Sequence, residues 1–227
     1  MNKIENEREL LNLFVGKDDP LHPWVERPFI DESGELVFAT NRYILIAINK
    51  ECCTANDYIS ENVDIKKRIM QTNCSHDVDV SHLDSLIRSI PQESETISKY
   101  INKTCPECDG SGEVTVEYYA KHDDEYYNVT AECPICRGDG SIFVFEEQPT
   151  GKMIPKKDSA IDINWILFPA NYIQILINAC NMLSVKTIKI VNLSKNDWCI
   201  FELDSGIRVV LQQIPNDEDI HVVKLEL

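Results

Sequence analysis

The sequence predicts an α+β fold in which two helix-plus-sheet halves are separated by an inserted β-hairpin. Three observations predict it. A helical pattern followed by β-rich runs occurs near the start of the 227 residues, and the same order occurs near the end. Between them lies a segment that contains the phrase Cys-Pro-x-Cys-x-Gly-x-Gly twice. An apolar fraction of 43% with 26% charged residues is typical of a globular chain that buries a core.

The first half, assigned to residues 1–66, begins with a helix. Apolar residues recur at helical spacing in NKIENERELLNLFVG: Ile4, Leu11, Phe14 and Val15. The later stretch PFIDESGELVFATNRYILIAINK then has a turn at Asp31–Gly34 between strand-like runs, and YILIAI predicts a buried strand. A connecting segment, residues 67–99, follows, and its VDVSHLDSLIRSI predicts a short helix.

The second half, assigned to residues 161–227, repeats this order after a linker at 148–160. Its helix is predicted from the spacing of apolar residues in PANYIQILINACNML: Ile173, Leu176, Ile177, Cys180 and Leu183. Four β-rich runs come next, namely VKTIKIVNL, DWCIFEL, IRVVLQQI and HVVKLEL. Two helix-then-strands halves therefore surround the middle of the chain.

The repeated phrase predicts a metal site. Cys105 and Cys108 are separated by two residues, as are Cys133 and Cys136, and 24 residues lie between the two pairs. Four thiolates form a closed tetrahedral zinc site, which is structural, whereas a catalytic zinc keeps an open position. Neither phrase contains a histidine. We therefore expect one structural Zn²⁺ held by these four cysteines.

The segment between the cysteine pairs predicts a hairpin, and residues 100–147 are assigned to this zinc-finger insertion. EVTVEYYA and EYYNVTAE are β-rich runs joined by the polar turn KHDD. The glycines of each phrase are expected to take positive φ, which turns backbone N–H groups toward sulfur. Candidate contact residues are the four tyrosines, half of which are expected to cover the hairpin's own small core: Tyr118, Tyr119, Tyr126 and Tyr127.

These two phrases resemble the cysteine-rich zinc domain of J-domain chaperones, whose repeats have the form Cys-x-x-Cys-x-Gly-x-Gly. That family carries four repeats and two zinc sites, whereas this chain has two repeats and hence one site. The His-Pro-Asp signature of the J-domain is missing from the sequence. The resemblance implies a polypeptide-binding module as one alternative function.

The flanking halves resemble the DNA sliding clamps, or processivity factors. GELVFATNRYILIAI is similar to a clamp segment in which one strand ends in Ala-Thr and leads into the next. FPANYIQILINACNML and the strands after it are similar to the second half of a clamp domain. The resemblance implies a non-enzymatic clamp-like scaffold in DNA replication or in a mobile element. Because the flanks suffice for a single domain, a ring would need about six copies.

Charge favours a protein partner over nucleic acid. The formal net charge is −16, and residues 105–147 hold eleven acidic residues against two basic ones. The predicted helix Asn171–Leu183 has no charged residue, whereas DNA affinity rests on Lys and Arg that neutralise phosphates. A DNA-binding oligomeric clamp therefore stays an alternative, and a homo-oligomer stays open.

The remaining expectations concern chemistry and location. No nucleophile–base set, phosphate loop or carboxylate pair stands out, so we expect no enzymatic activity. No early apolar run of signal-peptide type and no stretch near 20 apolar residues is found, so a soluble cytoplasmic protein without a membrane partner is expected. The leading prediction is a clamp-like scaffold whose zinc finger mediates protein binding.

Overall fold

The computed structural model describes residues 3–17, 22–61, 66–195, 198–204, 206–215 and 220–226. The chain divides into two compact units. The body comprises Met1–Glu93 and Ile154–Leu227, and the ribbon unit comprises Ser94–Met153.

Helices and strands are both present, which confirms the α+β class. The α-helices of the described residues are α1 (Glu7–Asn12), α2 (Lys66–Ile69), α3 (Val80–Ser89) and α4 (Ala170–Met182), with short 3-10 helices at Pro23–Glu26 and Lys50–Cys52. Within the same residues, no helix combines the length and the apolar character needed to cross a membrane.

The strands are, in chain order, β1 (Phe29–Ile30), β2 (Leu36–Thr40), β3 (Ile44–Asn49), β4 (Ile59–Ser60), β5 (His76–Asp79), β6 (Gln92–Thr104), β7 (Glu113–Ala120), β8 (Glu125–Glu132), β9 (Ser141–Pro155), β10 (Ser159–Ile163), β11 (Ile166–Pro169), β12 (Thr187–Asn192), β13 (Cys199–Asp204), β14 (Ile207–Leu211) and β15 (His221–Leu225).

The main sheet of the body joins two halves that follow the same chain order. Its strand order is β4-β1-β2-β3-β14-β13-β12-β5 among the described residues. Helix α1 precedes β1, β2 and β3, and helix α4 precedes β12, β13 and β14. The last strands of the two series pair antiparallel, with Ile44 opposite Leu211 and Ile48 opposite Ile207. The prediction of two helix-then-strands halves is therefore confirmed.

Both faces of this sheet are covered, which explains why β2 and β3 are continuous apolar runs instead of alternating ones. On one face, Val37 and Ala39 of β2 join the core cluster that includes the helices α1, α3 and α4. On the other face, Phe38 belongs to a second cluster, which includes Ile69 of α2 and packs against Trp24. All five residues of β2 are buried as a result.

Three features of the body either differ from the sequence-based expectation or were not specified by it. The last β-rich run, β15, does not continue the main sheet: it pairs in parallel with β10 in a separate sheet of order β11-β10-β15. Helix α1 is only six residues long, and Phe14 beyond its end is nevertheless fully buried. In the connecting segment, the predicted short helix is confirmed as α3, which packs in the main core, whereas the edge strand β5, which pairs with β12, was not predicted.

Candidate functional site

The four repeated cysteines lie together in the ribbon unit and are all buried. Their sulfur atoms lie within 4.8 Å of one another. The Cys105 and Cys133 sulfurs are 3.8 Å apart, and the Cys108 and Cys136 sulfurs are 3.7 Å apart. A tetrahedron with metal–sulfur distances of about 2.3 Å places its sulfurs about 3.8 Å apart. The cluster therefore has the dimensions to hold one tetrahedral metal ion.

Each cysteine pair is shaped by the glycines that follow it. Gly112 and Gly140 both have positive φ, at 79° and 70°. Their backbone N–H groups donate to the sulfurs of Cys108 and Cys136, at 3.3 Å each. Burial would raise the pKa of the Cys108 thiol, but the Gly112 N–H and the neighbouring cysteines lower it to about 7. Burial and the neighbouring cysteines raise the pKa of the Cys136 thiol to about 11, so without a metal the cluster favours the thiolate, the form that binds a metal, at Cys108.

The two cysteine-glycine phrases, residues 105–112 and 133–140, here named the knuckles, also form reciprocal backbone hydrogen bonds with each other. The Cys105 N–H donates to the Gly140 carbonyl at 2.9 Å, and the Cys133 N–H donates to the Gly112 carbonyl at 2.8 Å. A Cβ added to Gly112 would lie 2.3 Å from the Gly138 carbonyl oxygen. Only glycine fits this position, because the backbone of one knuckle approaches the backbone of the other there.

Substituting Gly112 with alanine should therefore weaken binding of a metal ion such as Zn²⁺ about tenfold or more, since it strains a hydrogen-bonding partner of the Cys108 sulfur. The measurement is chelator competition on the full chain. Gly151→Ala is the matched control: Gly151 also has positive φ, at 82°, but an added Cβ would meet nothing within 4 Å. Equal metal affinities of the two variants would contradict this role of Gly112.

The hairpin of β7 and β8 separates apolar from polar side chains. Directly opposed residues share a face, and successive residues alternate between faces. One face is formed by the pairs Val114–Ala131, Val116–Val129, Tyr118–Tyr127 and Ala120–Glu125. The opposite face is formed by the pairs Glu113–Glu132, Thr115–Thr130, Glu117–Asn128 and Tyr119–Tyr126. The hairpin is therefore amphipathic: the first face, here named the apolar face, carries the three valines with Tyr118 and Tyr127, whereas the opposite face carries the remaining polar pairs and the Tyr119–Tyr126 pair.

The expectation that half of the tyrosines would cover a small core is wrong. Tyr118, Tyr119, Tyr126 and Tyr127 are 59%, 40%, 67% and 44% exposed, and no residue of β7 or β8 is buried. The physical reason is that a two-stranded ribbon has no third layer to pack against. Tyr119 and Tyr126 contact each other, with ring centroids 5.1 Å apart, while Tyr118 and Tyr127 lie on the apolar face.

A second candidate surface, which sequence reasoning missed, is an aromatic cavity of the body. Its volume is about 280 Å³, and its lining includes Trp24, Phe29, Tyr43, Trp198 and Val210. The Trp24 ring packs edge-on against Phe29, with centroids 5.6 Å apart. These residues come from distant parts of the sequence, so no local pattern could have brought them together. A concave, aromatic-lined cavity is the usual form of a site for an apolar group.

The surface formed by helices α3 and α4 of the body carries little positive charge. Helix α4 contains no charged residue, and its exposed polar side chains include Asn178 and Asn181. On α3, which packs beside it, the Arg88 guanidinium forms an ion pair with Asp84 at 2.8 Å. Neutral amides release no counterions from DNA, so this surface lacks the main source of nucleic-acid affinity.

Comparisons with known proteins give likenesses of structure alone. No protein-family model matches the chain, and no curated protein matches it. Solved structures similar to it include the sliding clamp of Bartonella birtlesii bound to griselimycin (9% identity, TM-score 0.48, 94% of this chain and 64% of that one). The DNA polymerase sliding clamp of Caulobacter crescentus has 10% identity and a TM-score of 0.47, over 93% of this chain and 64% of that one. The DNA polymerase III β subunit of Thermotoga maritima has 11% identity and a TM-score of 0.46, over 95% of this chain and 65% of that one. The chain thus spans about two thirds of those proteins at most, and at TM-scores below 0.5 the likenesses carry no conclusion about its role.

Proposed function

We propose that this chain is a non-enzymatic, clamp-like scaffold whose hairpin, folded by one structural zinc ion, binds a protein partner. The observation that carries the proposal is the exposed apolar face of the hairpin. Val116, Tyr118, Tyr127 and Val129 of that face are 43%, 59%, 44% and 43% exposed. Monomeric proteins rarely expose contiguous apolar patches without a binding role, and tyrosine is enriched at protein interfaces.

Zinc is the ion that the donor set favours, because four thiolates with no nitrogen or oxygen ligand suit a closed tetrahedral site. Cys105, Cys108, Cys133 and Cys136 would hold it. The bound ion would supply folding energy to the ribbon unit and hold the hairpin in place. Buried sulfurs on all four corners leave no position for a substrate, which favours a structural role over a catalytic one.

The scaffold role is supported by the internal order of the body. Two series of one helix and three strands meet at the β3–β14 pair in a continuous sheet. The sequence resemblance to sliding clamps makes DNA replication or a mobile element the setting we propose. The aromatic cavity provides a second surface on which the body could receive an apolar side chain of a partner.

The alternative of a DNA-binding oligomeric clamp has less support. The helices α3 and α4 carry almost no unpaired positive charge among their described side chains, and the segment 105–147 is strongly acidic. Duplex DNA should therefore leave the mass of the protein in solution unchanged at low salt. If the protein instead forms a ring-sized oligomer that binds DNA at low salt and releases it at higher salt, the DNA-binding clamp is the correct function and the scaffold proposal is wrong.

The direct experiment places a photo-crosslinking amino acid at Tyr118 and, in a matched variant, at Thr130, an exposed residue of β8 on the opposite face of the hairpin. In cells that make the protein, we expect a discrete crosslinked protein at Tyr118 and much less at Thr130. Equal products at both positions, or none at Tyr118, would contradict partner binding by the apolar face. Crosslinks to many unrelated polypeptides would instead indicate the chaperone-like alternative.

A further inference from the structure

Strand β7 has an outer edge that can receive another strand. Among the described residues, β7 pairs only with β8, in a sheet of two strands. Its eight residues run from Glu113 to Ala120, and none of them is buried. The backbone N–H and C=O groups on the side of β7 away from β8 therefore have no strand partner within this part of the chain. Such an edge is a template for strand addition by another polypeptide.

The charges on β7 indicate which segment would fit. Glu113 and Glu117 alternate with Thr115 on the face opposite the apolar face. Glu113 is also directly opposed to Glu132 of β8. Like charges directly opposite each other destabilise a strand pair, so this arrangement is a cost to the isolated hairpin. A positive side chain placed beside Glu113 would relieve that cost.

The other side of β7 sets the second requirement. Val114, Val116 and Tyr118 project to the apolar face, so a strand added at this edge would extend that face by its own alternate residues. The complementary pattern is an alternation of basic and apolar residues. A second copy of this hairpin does not meet the requirement, because its own alternation places acidic residues where cations are needed.

We propose that the outer edge of β7 binds an extended segment of a protein partner in which Lys or Arg alternates with apolar residues, by addition of a third strand. The inference rests on the proposed function and specifies the chemistry of the partner. The basic side chains would lie beside Glu113 and Glu117, and the apolar ones beside Val114, Val116 and Tyr118. Main-chain hydrogen bonds would provide affinity, and the two alternating faces would provide register.

The test uses the 227-residue chain loaded with zinc and three capped eight-residue peptides. The first alternates Lys and Val, the second has the same composition as a block of Lys followed by a block of Val, and the third alternates Glu and Val. We expect the alternating basic peptide to bind about fivefold more tightly than the block peptide, and the acidic peptide not to bind. Hydrogen exchange should slow at the amides of β7 when the first peptide is present.

Two double variants test whether the glutamates of β7 contribute to binding of the alternating peptide. Glu113→Gln with Glu117→Gln should weaken binding of the alternating peptide about fivefold, the loss expected for two cross-strand charge pairs. The matched control, Glu107→Gln with Asp139→Asn, removes the same charge from the cysteine knuckles and should change binding less than twofold.

Equal binding of the alternating and block peptides, or equal losses in the two double variants, would overturn strand addition and leave only unspecific charge attraction. No binding of any peptide would also overturn it. These failures are separable from failure of the proposed function, because the crosslink at Tyr118 reports a protein partner whatever its backbone conformation.

Discussion

Replacing Cys105 with serine should abolish zinc binding and unfold the ribbon unit, residues 94–153, while the body keeps its fold. Structural zinc contributes roughly 10–16 kcal/mol to the folding of zinc-finger peptides, which equals or exceeds the stability of a typical domain. The ribbon unit otherwise contains the two-stranded sheets β6–β9 and β7–β8, which are marginally stable alone, and the buried side chains of its core cluster are the four cysteines, against which Val114 and Ile142 pack.

Tryptophan fluorescence and limited proteolysis separate the two units in this experiment. All three tryptophans belong to the body, so their unfolding transition should be the same in the variant and the parent protein. New protease cleavage should be confined to residues 94–153. Cys74→Ser, which changes a thiol outside the cluster, is the control and should retain zinc. Loss of the tryptophan transition in Cys105→Ser would show instead that the body depends on the metal.

Replacing Phe201 with alanine should affect the other unit: we expect it to destabilise the body by about 3–5 kcal/mol without loss of zinc from the ribbon unit. Phe201 is fully buried on β13, and its ring packs edge-on against Phe168 with centroids 5.7 Å apart. Truncation removes this aromatic contact and leaves a cavity in the main core. The free energy of unfolding is measured from tryptophan fluorescence in denaturant.

The control for this prediction is the same substitution at an exposed phenylalanine. Phe143 on β9 is 72% exposed, so Phe143→Ala should change the free energy of unfolding of the body by less than about 0.5 kcal/mol. Zinc content should equal that of the parent protein in both variants. A comparable loss of body stability in the two variants, or zinc loss in Phe201→Ala, would contradict the division of the chain into a metal-folded ribbon unit and an apolar body.

Local features of the candidate site could be predicted from the sequence because each depends on residues close together in the chain. The KHDD turn joins β7 and β8 in a hairpin, as the two β-rich runs predicted; the register, with Val116 opposite Val129, was not predicted. The positive φ predicted for Gly112 and Gly140 is confirmed. Positive φ at Asp109 and Arg137 was not predicted, because these non-glycine residues carry no such signal in the sequence.

Features that depend on distant pairing could not be predicted. HVVKLEL has the composition of a strand, but nothing in it indicates parallel pairing with β10, which aligns Val223 with Ile161. The aromatic cavity likewise combines Trp24, Tyr43 and Trp198, which lie far apart in the sequence. Composition also could not decide whether the hairpin tyrosines are buried, since that depends on whether a third layer covers the ribbon.

The most direct test of the account is sulfur coordination of zinc in the purified chain, measured by zinc X-ray absorption together with metal content. We expect one zinc per chain bound by four sulfurs at about 2.3 Å. We also expect removal of the metal to abolish the slow hydrogen exchange of the β7–β8 amides. A metal-free chain whose hairpin stays protected, or zinc bound partly by nitrogen or oxygen, would contradict the proposal that the four cysteines hold a structural zinc that folds the hairpin.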